Sequence, residues 1–248
     1  MCKRISIIIA TYNAEETLGK CLDSIICQKN DNVELLIIDG GSKDKTTEIV
    51  EKHMENIDYY VSEPDNGIYD AWNKGIAQAK GDWIMFVGAD DELLPDALLK
   101  YERCLSETKD TNTYDYICAH NDYIAFDGSS IKKIGKEPSW QSMRYYMSAA
   151  HVGSLHNKRN LFNKVGVYDL TYKICADYEL LLRKRDNLKY LFIEDTIARM
   201  KEGGMSMSSK AIIETYYIRK QHETINGVLN FLILLKSLLI YKYFKLYK

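Results

Sequence analysis

Two adjacent carboxylates, Asp90 and Asp91, follow the apolar run Trp-Ile-Met-Phe-Val at residues 83–87 after Gly88 and Ala89. Side chains that offer only oxygen, paired in this way, suit a divalent cation that completes its shell with ligand oxygens and water. The plain alternative is a cap, with Asp90 or Asp91 opening the helix that begins near Pro95. More acids stand at comparable points earlier in the chain: Asp39 and Asp44 in Asp-Gly-Gly-Ser-Lys-Asp, and Asp65 in Ser-Glu-Pro-Asp-Asn-Gly. A pocket this acidic accepts phosphate oxygens only with a cation between the two sets of negative charge. The chemistry indicated is that of a metal-bound nucleoside diphosphate compound.

Positioning these acids requires strands that stop where the acids begin. Residues 5–10 are a continuous β-branched apolar run, which fits a strand buried on both faces. Residues 33–38, 59–61 and 83–87 read as further strands. Helices are expected over 15–28, where Leu18, Cys21, Leu22 and Ile25 share one face, and over 46–54 and 69–79. Asp44 or Ser42 caps the second of them. Such alternation predicts an α/β fold with a mostly parallel central sheet, right-handed crossovers and flanking helices. The polar loops then gather on the carboxyl edge of the sheet, where they form a nucleotide-sized crevice. Beyond Pro95 the alternation loosens. A helix over 98–106, a hairpin of 114–126 with 130–134, a strand over 151–157 and a short helix over 159–164 are expected. A helix over 177–185, strands over 190–193 and 196–200 and a long helix from 209 follow.

Length and composition limit the alternatives. The 248 residues can bury one large domain or two joined halves. Thirty-three basic against 35 acidic residues gives no reason to expect a nucleic-acid partner. Six scattered cysteines show no zinc spacing and fit a reducing compartment. With no signal-peptide pattern before the first strand, the expected location is cytoplasmic. Neither GxGxxG nor GxxxxGK[ST] is present, which argues against dinucleotide and P-loop sites. Residues 228–248 are apolar but broken by Asn230, Lys236 and Lys242, and end with lysines among tyrosines. That pattern suits a helix lying at the inner face of an anionic membrane, or one packed on the domain or on a second subunit.

Taken together, ISIIIATYNAEETLGKCLDSI, IIDGGSKDKT, NGIYDAWNKGIAQAKGDWIMFVGADDELLP, VGVYDLTYKICADYELLLR and GGMS resemble family 2 glycosyltransferases of the GT-A fold, particularly those of bacterial exopolysaccharide, colanic-acid and lipopolysaccharide assembly. The motifs occur in the family's order across residues 4–206. The resemblance implies an inverting, metal-dependent transfer from a nucleotide-sugar donor, a UDP-sugar above all, to a glycan or polyprenyl-linked acceptor. It implies that Thr11 and Asp39 contact the uracil nucleoside, with Ser42 in the same loop, and that Asn73 belongs to the nucleotide site. Asp90 falls on the second aspartate of the DxD motif and would hold Mn²⁺ or Mg²⁺, helped by Asp91. Asp177 falls on the catalytic base, and His151 and Trp140 would lie toward the acceptor. Gly203-Gly204-Met205-Ser206 resembles a loop that closes over the donor. The implied division is a domain over 1–206, with nucleotide-sugar half 1–92 and acceptor half 93–206, then a helical tail over 207–248.

Three positions depart from the family pattern: Gly88 for the first DxD aspartate, Ala176 for the glutamate before the base, and Trp72 for the arginine before Asn73. These departures favour, as a rival, a degenerate protein that binds the donor without turnover. A nucleotidyltransferase would need a basic glycine-rich loop near the first strand, which TYNAEE does not supply. Capping remains an alternative for Asp39 and for Asp177.

Overall fold

The computed structural model describes residues 5–125 and 127–246. Phe126 of the expected hairpin, and Tyr247 and Lys248 of the tail, lie outside them. Strands β1 (Ile5–Thr11), β2 (Val33–Asp39), β3 (Tyr59–Ser62) and β4 (Trp83–Gly88) run parallel in the order β3-β2-β1-β4. They alternate with α1 (Leu18–Ile26), α2 (Thr46–Lys52) and α3 (Ile68–Gln78). Every residue of β1 and β2 is buried, because helices cover both faces. Ile5, Ile7 and Ile9 share one core with Leu18, Leu22 and Ile25, while Ile8 and Ala10 share the other with Trp72 and Ile76. Gly75 allows α3 to lie directly on β1: a Cβ there would fall 2.5 Å from Ile8 Cγ2.

The chain then supplies β5 (Glu92–Leu93), α4 (Ala97–Glu107), β6 (Tyr116–Ile124), β7 (Ser130–Ile134), α5 (Trp140–Met143) and β8 (Leu155–Asn157). After a π-helical turn at Lys158–Phe162 come α6 (Asn163–Val165), α7 (Ala176–Leu182), β9 (Tyr190–Lys201), α8 (Ser209–Gln221) and α9 (Gly227–Leu246). These strands extend the sheet as β4-β8-β6-β9-β5, with β7 on β6, giving nine strands among the described residues. The parallel pattern holds through β1–β4 and returns at β6–β9, whereas β8, β7 and β5 pair antiparallel. A short hairpin returns β7 to β6, β8 comes back after α5, and β5 waits for β9, more than a hundred residues on.

Several expectations change. The helix placed from Pro95 begins at Ala97, and the two-residue β5 precedes it, pairing Glu92 with Arg199 and Leu93 with Ala198. The strands expected over 190–193 and 196–200 are the single strand β9, whose register on β6 shifts around His120. The strand expected from 151 begins at Leu155, which leaves His151 in the loop before it. The single long helix from 209 is two helices. Glu223 takes a left-handed φ of 48° between them, and the Asn226 carboxamide accepts from Leu229 N at 2.8 Å to start α9. Among the described residues no helix is long and apolar enough to cross a membrane. The five described cysteines are unpaired.

Candidate active site

Strand register brings the acids to one edge. Thr11 pairs with Asp39, Asp39 with Ser62, and Ala10 with Gly88, so β1–β4 all end at the same level. Asp39 is fully buried there and organises the loop after β2. Its Oδ2 accepts from Gly41 N at 3.1 Å, Ser42 N at 2.9 Å and Ser62 Oγ at 2.6 Å, and its Oδ1 accepts from Ser42 Oγ. The Ser42 hydroxyl in turn accepts from Asn13 N at 2.8 Å, and Asn13 Oδ1 accepts from Lys43 N at 2.9 Å. The two loops therefore form one stitched surface. Neither Asp44 nor Ser42 occupies the cap position of α2, which falls to Lys45; Asp44 stands one residue earlier and accepts from the amide and hydroxyl of Thr46 at 3.0 and 2.6 Å. Thr11 Oγ1 is buried at this edge without a hydrogen-bond partner in the protein.

The two carboxylates after β4 divide sharply. Asp90 is exposed, while Asp91 is buried and folds back so that its Oδ2 accepts from Gly88 N at 3.1 Å. Asp91 thus closes its own turn, and the helix-capping role considered for it is not what the chain uses it for. Burial, and then the negative charge of Asp90 beside it, push the Asp91 carboxyl well above the usual range. A Cβ on Gly88 would stand 2.6 Å from Asp91 Oδ2 and 3.0 Å from Asp90 Oδ1. The room a side chain at position 88 would need is thus taken by the carboxylate of residue 91. Two carboxylates crowded in this way fit a divalent ion that draws its remaining ligands from phosphate and water. Among the described residues no group of three or more His, Cys, Asp or Glu is gathered to enclose a metal by itself.

Asp177 sits in the first turn of α7 and reaches toward α3. The Tyr69 hydroxyl shares its proton between Ile174 O at 2.6 Å and Asp177 Oδ1 at 3.0 Å. Burial raises the Asp177 carboxyl above its ordinary value of 3.8; hydrogen bonds from Tyr178 N and the Tyr69 hydroxyl oppose that rise. The segment before Asp177 is held from the far end of the chain. Glu214 of α8 accepts from Lys173 N at 2.8 Å, Ile174 N at 2.9 Å and Cys175 N at 3.0 Å. Neither Tyr69 nor Glu214 was singled out by sequence reasoning. Tyr69 sits four residues before Asn73 on the buried face of α3, a spacing that could have drawn notice. Glu214 lies 40 residues from its partners in an ordinary helix and leaves no signal.

Other expected residues take different places. Asn73 clamps a neighbouring loop, its Nδ2 donating to Tyr168 O at 2.9 Å and its Oδ1 accepting from Tyr168 N at 3.0 Å. Its amide thus ties the two halves together rather than facing the strand-end loops. Trp72 is buried against Tyr69, Phe86 and His151. Trp140 packs on the same core under the Arg185 guanidinium, 5.7 Å from its ring, and does not reach the Asp177 cavity. His151 does reach it. Burial drops its pKa to about 3, so the ring is neutral; Nε2 lies 3.4 Å from the Tyr168 hydroxyl and Nδ1 has no partner.

That cavity, 510 Å³, has Asp177 and His151 in its wall, with Ser206, Ile212 and Thr215 from the following segment and Ile233 and Ser237 from α9. The fold therefore offers an acidic, loop-built edge over four strand ends and, tied to it through Tyr69, a cavity holding one poised carboxylate. The first suits a charged ligand with a cation; the second suits proton removal from a hydroxyl.

A family model, Glycosyl transferase family 2, matches residues 6–176. A PGL/p-HBAD biosynthesis glycosyltransferase of Mycobacterium bovis is 29% identical over 222 residues, covering 87% of this chain and 82% of that one. The dolichyl N-acetyl-α-D-glucosaminyl phosphate 3-β-D-2,3-diacetamido-2,3-dideoxy-β-D-glucuronosyltransferase of Methanococcus voltae is 30% identical over 226 residues, covering 87% and 67%. Among solved structures, residues 1–349 of Staphylococcus aureus TarS in complex with UDP superpose with a TM-score of 0.70 at 17% identity, covering 95% of this chain and 70% of that one. The architecture is the GT-A fold.

Proposed function

The chain belongs to glycosyl transferase family 2, and from that premise we propose that it transfers a sugar from a UDP-sugar to a hydroxyl of a glycan or polyprenyl-linked acceptor, inverting the anomeric centre. The observation that carries the reading is Asp177, a carboxyl with raised pKa in the wall of a cavity and hydrogen-bonded to the helix that follows the strand-end loops.

In this reading the strand-end edge holds the donor. Thr11, with its unpartnered hydroxyl, and the loop shaped by Asp39 and Ser42 receive the nucleoside; the UDP complex of TarS supports uridine. Asn73 acts indirectly, as the clamp that fixes the acceptor side against α3. Asp90 and Asp91 would hold Mn²⁺ or Mg²⁺, which when bound neutralises the charge developing on the diphosphate. On the acceptor side, the hydroxyl attacks the anomeric carbon from the face opposite the diphosphate. The new C–O bond forms as the old one breaks, its electron pair leaves with the diphosphate, and the hydroxyl proton passes to Asp177. His151, a neutral ring in the cavity wall, would help to orient that hydroxyl.

The dolichyl-linked substrate in the Methanococcus relative's name supports a lipid-linked acceptor, and surface polysaccharide assembly is the setting such an acceptor fits. The exposed Phe231, Leu235 and Leu239 of α9, with Lys236 and Lys242, support peripheral contact with the inner face of an anionic membrane. The test is Asp177→Asn. Transfer should fall by roughly 10²–10⁴-fold, the usual worth of a general base, while UDP binding measured by calorimetry stays unchanged. Loss of UDP binding together with transfer would remove Asp177 from the role of base.

A further inference from the structure

The Asp177 cavity has the wrong lining for a purely sugar-built acceptor. Beside Asp177, His151, Arg219 and the hydroxyls of Ser206, Thr215 and Ser237, the walls are largely apolar: Met147, Ile174, Met200, Ile212 and Ile233 contribute to them. A sugar chain filling 510 Å³ would bury many hydroxyls there with few partners, at a cost for each one left unpaired. The apolar wall also continues outward. Ile233 and Ser237 face the cavity from α9, and the same helix exposes Phe231, Leu232, Leu235 and Leu239 along its other side.

We infer that this cavity binds the apolar part of an amphiphilic acceptor, a hydrocarbon or aryl group attached close to the hydroxyl that is glycosylated. The inference rests on the proposed transferase reading, since it places the reacting hydroxyl at Asp177. The occupant is the acceptor and not a bilayer: Asp177 and His151 stand in the wall of the cavity, so a molecule that fills it meets both groups. Its apolar tail lies between α8, α9 and the Tyr145–Met147 segment. Specificity would then come from the aglycone at least as much as from the sugar.

The experiment is a binding comparison that needs no turnover. Methyl and n-octyl β-D-glucopyranoside, below the micelle concentration, are titrated into the full chain and followed by ligand-observed NMR. The octyl compound should bind at least tenfold more tightly, because burial of only two methylenes accounts for about that factor. Ser237→Phe, which fills the cavity from a partly exposed position, should remove the difference. Leu239→Asp, on the outer side of α9, should leave it intact. Equal binding of the two glucosides overturns the inference, as does an octyl preference that survives Ser237→Phe and disappears in Leu239→Asp, the mark of adsorption to the outer helix face. Retained preference without any UDP-sugar cleavage would sink the transferase reading and leave the amphiphile site standing.

Discussion

At the residue scale the site rests on where two carboxyls find their hydrogen-bond partners. Asp177 is pulled down by Tyr69 and pushed up by burial. Tyr69→Phe keeps the ring that packs edge-on to Trp72 and removes only the hydroxyl. Burial is then less opposed and the carboxyl pKa rises further. In its proposed role as base Asp177 must be ionised, so the acidic limb of the kcat profile should move to higher pH; a pH–rate profile of the two proteins checks the direction. Gly88 makes a second case. Gly88→Asp would restore the first aspartate of the DxD pattern, yet its Cβ meets Asp91 Oδ2 at 2.6 Å. We expect a lower Tm, by an overpacking cost of about 1–3 kcal/mol, and weaker metal-stimulated transfer rather than a gain. The adjacency of Asp90 and Asp91 was legible in the sequence. Their unequal burial was not, because it depends on a turn that folds residue 91 back under residue 88.

At the element scale, the helices and strands with strong periodicity were read correctly in kind. Residues 5–10 announced β1 by composition alone, and Leu18, Cys21, Leu22 and Ile25 announced α1. The two-residue β5 gave no pattern to read, since β9 alone defines it across more than a hundred residues of chain. The same separation hid the part played by α8. Glu214 satisfies three consecutive amides that would otherwise be free to shift the loop bearing Asp177. Glu214→Ala should lower kcat by roughly 10²-fold, the effect of misplacing a catalytic group by about an ångström. KM for the donor should change less than kcat, because the Glu214 carboxylate accepts from residues 173–175 and not from the loops after β1 and β2. Glu214→Gln, which keeps one acceptor oxygen, should recover part of the rate; steady-state kinetics of both variants distinguish positioning from a general loss of fold.

For the molecule as a whole, the division at residue 206 drawn from sequence does not coincide with a break in its contacts. Arg219, almost fully buried, donates from Nε to Asn230 Oδ1 at 2.7 Å and from Nη1 to Tyr145 O at 2.7 Å, which joins α8, α9 and the cavity wall. Apolar residues facing a cavity and apolar residues facing a membrane look alike in composition, so the sequence marked this segment as a tail. A chain ending at Asn226 should therefore keep UDP binding but lose most transfer, with Tm lowered by roughly 5 °C, as expected for about 2 kcal/mol in a protein of this length. Calorimetry and a transfer assay on the shortened chain would show it; full activity would restore the idea of a detachable tail. The Glu214 contact also has a bearing on time. A chain is made from its amino end at roughly 5–20 residues per second, so the strand-end loops exist well before residue 214 leaves the ribosome. Until then the segment leading into α7 and Asp177 lacks the three hydrogen bonds that Glu214 supplies.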